Sequence, residues 1–264
     1  MAPKSAQRRD RANEARHARL AIEVAAQRAA AWRRRRNAVV AAVGAVALVL
    51  AVALSTSGGG STTAATGVRV VDAAFSSRLF AAIPQHGLEL GSPSAPVHLV
   101  EYADLQCPYC DEYATQTLPQ LVTDYVRTGK VSMEFRNLSF IGPDSVRAGR
   151  VATGAAAQDK LWNFIDLMYL NQGQENTGYA TDAYLRRLLM SVPGLNVAAA
   201  LRASQAPTAV AELGAANADA TAHGISATPS FLIGRAGGTL RLFQPASLTP
   251  GAFAAEFNSL LAGG

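Results

Sequence analysis

The only two cysteines of this 264-residue chain stand two residues apart, in Cys107-Pro108-Tyr109-Cys110. The apolar run Val97-His98-Leu99-Val100-Glu101-Tyr102-Ala103 leads into them as a strand, and a helical pattern leads away. A thiol pair at the corner between strand and helix is the chemistry that any fold of this chain must accommodate. With Pro108 at the first helical position, where its fixed φ fits and its missing N–H is not needed, Cys107 lies at the helix N-terminus facing unpaired backbone amides. Those amides and the positive end of the helix dipole favour a thiolate. Cys107 is therefore expected to be the attacking sulfur, partly exposed and with a lowered pKa. Cys110, one turn deeper, is expected to resolve the mixed disulfide. Pro108 and Tyr109, the residues between the sulfurs, are expected to tune the pair; they add no positive charge, so the helix end acts without an intervening histidine to stabilise the thiolate further. A structural bridge or two merely buried thiols would not need this spacing and flank. A structural zinc centre wants four Cys or His ligands, and the histidines are scattered at positions 17, 86, 98 and 223, so no metal is expected.

Charge divides the chain near residue 67. Residues 1–67 hold 11 Lys/Arg against 3 Asp/Glu, whereas residues 68–264 hold 13 against 16. The overall net charge of +5 thus belongs to the tail, and the folded part shows no basic stripe for nucleic acid. Residues 1–37 read as a basic cytoplasmic segment with little to bury. Residues 38–57 begin with seventeen uncharged residues, Ala38 to Leu54, and are long enough to span a bilayer. With Arg33 to Arg36 on the N-terminal side, the positive-inside rule leaves everything after the span outside the cytoplasm. Ala51-Val52-Ala53 has the small-x-small form of a cleavage site, but the long n-region and long apolar run favour an uncleaved anchor in contact with lipid. Residues 58–67, rich in Gly, Ser and Thr, form a flexible linker to a domain at 68–264.

Along that domain, Val68-Arg69-Val70-Val71 reads as a short strand and Ala74 to Ile83 as a helix. After the cysteines, Leu118, Leu121, Val122, Tyr125 and Val126 recur with helical spacing, with a kink at Pro119 and Gly129 closing the helix. Val131 to Leu138 alternates as a strand, giving a βαβ unit with parallel pairing. From about 142 to 224 helical signals follow one another: Asp144 caps the first, Thr181, Asn196 and Pro207 open later ones, and the stretch is long enough for a small core of its own. Trp162, Phe164 and Tyr169 belong to that core. Ser230 to Ile233 and Thr239 to Phe243 form two antiparallel strands, and Thr249 to Leu261 a closing helix.

In Glu101-Tyr102-Ala103-Asp104-Leu105-Gln106-Cys107-Pro108-Tyr109-Cys110, Thr128-Gly129-Lys130-Val131, the helical insert with Leu161-Trp162, and Gly224-Ile225-Ser226-Ala227-Thr228-Pro229-Ser230-Phe231, residues 85–262 resemble the DsbA-like thioredoxin family in its membrane-anchored bacterial form. The resemblance implies an α/β thioredoxin-like fold with an inserted helical domain, a cis peptide at Thr228-Pro229 beside the sulfurs, and a substrate-binding loop there. It also implies that Glu101 is a buried acid that relays a proton for Cys110; a salt-bridged or exposed strand-end carboxylate is the competing assignment. Asp104 is expected to shape the loop before Cys107. The activity implied is thiol-disulfide exchange with exported protein thiols, recharged by a quinone-coupled membrane oxidase and needing no further cofactor. A reductase or isomerase of the same fold, or a peptide-binding chaperone, are the alternatives. Tyr109 stands where many strongly oxidising members carry histidine, which leaves the potential open.

Overall fold

The computed structural model describes residues 70–263. The basic segment, the expected span at 38–57 and the linker at 58–67 lie outside them. No helix among the described residues is long and apolar enough to cross a membrane.

The described residues form one sheet of six strands. Its centre is β3 (Val97–Ala103), parallel to β4 (Val131–Asn137) and antiparallel to β5 (Ser230–Arg235). β6 (Arg241–Phe243) extends the sheet antiparallel beyond β5. On the other side, the hairpin of β1 (Gln85–His86) and β2 (Glu89–Leu90) docks on β4. Two-residue strands are too short to show alternation, so the hairpin has no counterpart in the sequence pattern; Gly87, at φ +60°, closes its turn. β3 is covered on both faces, which is why its sequence reads as a nearly continuous apolar run.

The βαβ crossover is a continuous helical run: α2 (Pro108–Glu112), a wide π turn (Tyr113–Thr117), α3 (Leu118–Leu121) and a second π turn (Val122–Val126). The kink expected at Pro119 thus takes the form of widened turns on either side of a residue that cannot donate to the helical ladder. Gly129, at φ +72°, ends the run as expected. α1 (Ala73–Leu79) precedes the sheet, but Val70 and Val71 are not a strand. The side chain of Asn171 takes the place of a neighbouring strand: its Oδ1 accepts from Val71 N at 2.8 Å and its Nδ2 donates to Val71 O at 3.2 Å.

Five helices separate β4 from β5: α4 (Pro143–Ala156), α5 (Leu161–Leu170), α6 (Asp182–Met190), α7 (Val197–Ser204) and α8 (Pro207–Ala222). Thr181 and Asn196 cap α6 and α7 through their side chains, and Pro207 opens α8. Asp144 does not cap α4. Gly142 holds that position, and the buried Asp144 carboxylate instead accepts from Arg147 at 2.8 Å and from Ala180 N at 3.3 Å. Nor do the insert helices have a core of their own. Trp162 lies between Phe80 and Phe135, at ring distances of 6.4 and 6.1 Å, and joins the insert to the sheet in one continuous apolar cluster. α9 (Pro250–Ala262) closes the sheet's other flank, with Phe253 stacked against Tyr113, Phe231 and Phe243.

Candidate active site

β3 ends at Ala103, and a four-residue loop carries the chain to the start of α2. Cys107 is the N-cap of that helix, with extended backbone, and Pro108 is its first residue. Both sulfurs are free thiols. Cys110 is wholly buried, while Cys107 keeps 5% of its surface, less than the partial exposure expected of it. The reason is the loop before β5: Thr228-Pro229 is cis, and Thr228 O lies 3.4 Å from Cys107 Sγ, accepting from the thiol. Tyr109, at 59% exposure, is the accessible residue of the motif.

The environment drives the two thiols apart. Cys107 is lowered to about 6, first by a hydrogen bond from the Cys110 thiol, then by Thr228 and by the backbone amides of Cys110 and Tyr109, against the effect of burial. The helix start therefore contributes, but the partner thiol contributes more. Thr228 Oγ1 is buried beside the sulfur with no well-aligned partner among the described residues, a donor from which a Cys107 thiolate can accept. Burial pushes Cys110 up, and the nearby Cys107 and Glu101 add to it.

Glu101, on β3, is 2% exposed, and burial pushes its carboxyl up to about 8. It is neither the salt-bridged nor the exposed carboxylate of the competing assignment. Asp104 shapes the loop as its position suggested. One oxygen accepts from Gln106 N at 2.8 Å and Ser145 Oγ at 2.6 Å, and the other from the amides of Phe140 and Ile141 at 2.9 and 3.0 Å. Sequence reasoning missed Gln172, whose Nε2 donates to the carbonyls of Leu105 and Cys107 at 3.1 and 3.2 Å. Nothing local in the sequence marks a glutamine 65 residues away as part of the site.

Beside the sulfurs lies an open cavity of about 410 Å³, walled by Tyr109, Ile225, Thr228, Pro229, Phe231 and Leu242. A second constellation sits at the far end of β3, where Glu89, His98 and Glu134 bring possible ligand atoms within 4.8 Å of one another. Arg136 already pairs with Glu134, so this is an ion-pair network away from the thiols. A sulfur poised to ionise, a buried sulfur behind it and an apolar cleft alongside can together exchange disulfides with an extended peptide.

A family model described as thioredoxin matches residues 85–237, more than half of the chain, and the chain belongs to that family. Its form of the fold is DsbA-like. The oxidised crystal structure of BdbD from Bacillus subtilis superposes with a TM-score of 0.59 at 19% identity, covering 68% of this chain and 97% of that one. Wolbachia pipientis alpha-DsbA1 gives 0.58 at 20% identity, over 67% and 91%. Among curated proteins, the probable disulfide bond formation protein D of Bacillus cereus is 37% identical over 98 residues, 36% of this chain and 45% of that protein. The match thus spans less than half the length of that relative.

Proposed function

We propose that this chain is an extracytoplasmic thiol-disulfide oxidoreductase that introduces disulfides into exported proteins through Cys107 and Cys110. The observation that carries this reading is the placement of Cys107 at the N-cap of α2, against the Thr228 carbonyl, with buried Cys110 one turn behind. In the oxidised protein a client thiolate attacks Cys107 Sγ; the Cys107–Cys110 bond breaks and Cys110 leaves with the electron pair. A second client thiolate then attacks its own sulfur in the mixed disulfide, releasing Cys107 as the thiolate. The client loses two electrons and the cysteine pair gains them. Glu101, close enough to raise the Cys110 thiol and neutral up to about 8, is the group from which the departing Cys110 sulfur takes its proton.

In this reading residues 38–57 anchor the protein, residues 1–37 stay in the cytoplasm, and a quinone-coupled membrane oxidase restores the disulfide. The charge asymmetry around the span supports that orientation. The cavity walled by Pro229 and Tyr109 takes the client chain. The test mixes oxidised protein with a reduced, unfolded protein that regains activity only with its disulfides formed. Activity should return, and Cys110→Ala whose Cys107 is first loaded as a mixed disulfide with glutathione should accumulate a client joined to Cys107, the client thiolate displacing glutathione. No recovery and an empty trap would remove the reading, whereas a protein found reduced in intact cells would reverse the direction of electron flow to that of a reductase.

A further inference from the structure

The loop that carries Cys107 is held from outside the sheet, by the helical insert. Tyr169 Oη donates to Asp104 O at 3.3 Å, and Gln106 bonds to Ser145 Oγ and to Asn176 N at 2.8 and 2.9 Å. Gln172 differs from these in reaching Cys107 itself. Its one amide group spans two carbonyls, Leu105 O and Cys107 O, and among the described residues no other side chain donates to either. The second acceptor bond of Cys107 O comes from Asp111 N at 3.1 Å, the bond that opens α2. Pro108 has no N–H, so the peptide joining Cys107 to the helix has its carbonyl as its only hydrogen-bonding handle.

Gln172 is itself firmly placed. Its N–H donates to Tyr169 O at 2.9 Å, and the preceding Asn171 is tied to Leu167 O and Val71. The following Gly173 is pressed under the Tyr179 ring so closely that a Cβ there would come within 2.5 Å of it. A donor fixed on both sides can define the plane of the peptide it grips.

We propose that Gln172 is a positioning residue for the thiol pair: its side-chain amide holds the Cys107 peptide plane at the mouth of α2 and keeps the sulfur over the amides of Tyr109 and Cys110. The inference rests on the exchange reading for its importance, but not for its measurement. Released from Gln172, the Leu105 and Cys107 carbonyls lose their side-chain donor while Gln106 between them stays tied to Ser145 and Asn176, so the Cys107 peptide is free to tilt and the sulfur drifts from the donors that favour its ionised form.

The test follows the rate of alkylation of reduced protein against pH in the wild type, Gln172→Ala and Gln172→Glu, together with the glutathione equilibrium and thermal midpoints of both redox forms. In Gln172→Ala the alkylation midpoint should rise by about one pH unit, a tenfold smaller thiolate fraction below it, with a tenfold less oxidising equilibrium. Gln172→Glu, which sets a carboxylate against two carbonyls, should rise further. Thermal midpoints falling alike in both redox forms, with the alkylation profile and equilibrium unmoved, would mean the glutamine is only structural. A wild type that alkylates normally but exchanges with no client would sink the proposed function and leave this inference standing on the alkylation profile.

Discussion

Cys107 and Glu101 are shifted in opposite directions by the same interior, and each shift has a pH signature. The Cys107 thiol falls from 9.0 to about 6, so the reduced protein gains stability as pH rises from 6 to 9 and loses it as pH falls through 6. The full shift is worth ~4 kcal/mol, and because the disulfide form has no such thiol, it favours reduction of the pair. Alkylation of reduced protein should show a midpoint near 6, moving up by at least one unit in Cys110→Ala, since the Cys110 thiol is the largest stabilising partner. An unchanged midpoint would place the effect in the helix start instead. Glu101 is raised from 4.5 to about 8, so the unfolded chain releases its proton first and stability falls as pH rises between those values. Glu101→Gln should be no more stable than the wild type at pH 4 and progressively more stable toward pH 8, by up to a few kcal/mol, while attack of a client thiol on the oxidised protein, the step in which Cys110 departs, slows. A stability difference that stays constant with pH would show that the carboxyl is solvated rather than buried.

At the level of elements, what the sequence showed was whatever repeats over several residues or marks an end. The strand before the cysteines, the helix after them, Gly129 at its close and the caps Thr181 and Asn196 were legible because period, proline and cap chemistry act locally. The hairpin Gln85–Leu90 was not, being stabilised by docking on β4 rather than by its own pattern. Asp144 misled for a related reason: an acid near a helix start has the composition of a cap, yet tertiary packing gave it Arg147 and Ala180 instead. Gln172 was beyond reach because its partners are distant in the chain. Helix packing in the insert was equally hidden, and it can be tested at Gly154. A Cβ there would stand 2.2 Å from Ala200 O, so α4 and α7 approach backbone to backbone. Gly154→Ala should force them apart and lower stability by about 1–3 kcal/mol in denaturant unfolding, despite alanine's better helix propensity. A stabilised variant would show that the contact yields without cost.

Because one apolar cluster runs from the sheet through Trp162 into α6 and α7, the insert and the thioredoxin half cannot lose their cores independently. Unfolding of the described domain should therefore be a single transition, and a charge buried anywhere in it should bear on the whole. Asp166 is such a charge. It lies on α5 facing α1, is 1% exposed, and neither carboxyl oxygen has a well-aligned partner among the described residues. Burial pushes it from 3.8 to about 7; the Ser76 hydroxyl eases this slightly, and among the described residues the charge acting on it is that of Asp72, which is of like sign. With the folded pKa above the unfolded one, the domain is penalised as pH rises from 4 to 7 and the penalty is complete above 7. Asp166→Asn abolishes that titration but leaves an amide with the same lack of partners, which costs about 1–3 kcal/mol at every pH. The thermal midpoint of the oxidised variant, relative to the wild type, should thus start lower at pH 4, climb through pH 5 and 6, and level off above 7, with one transition throughout. A difference that did not vary with pH would mean that water or a cation satisfies the carboxylate, and two resolved transitions would mean that the core seen as continuous is divided between sheet and insert.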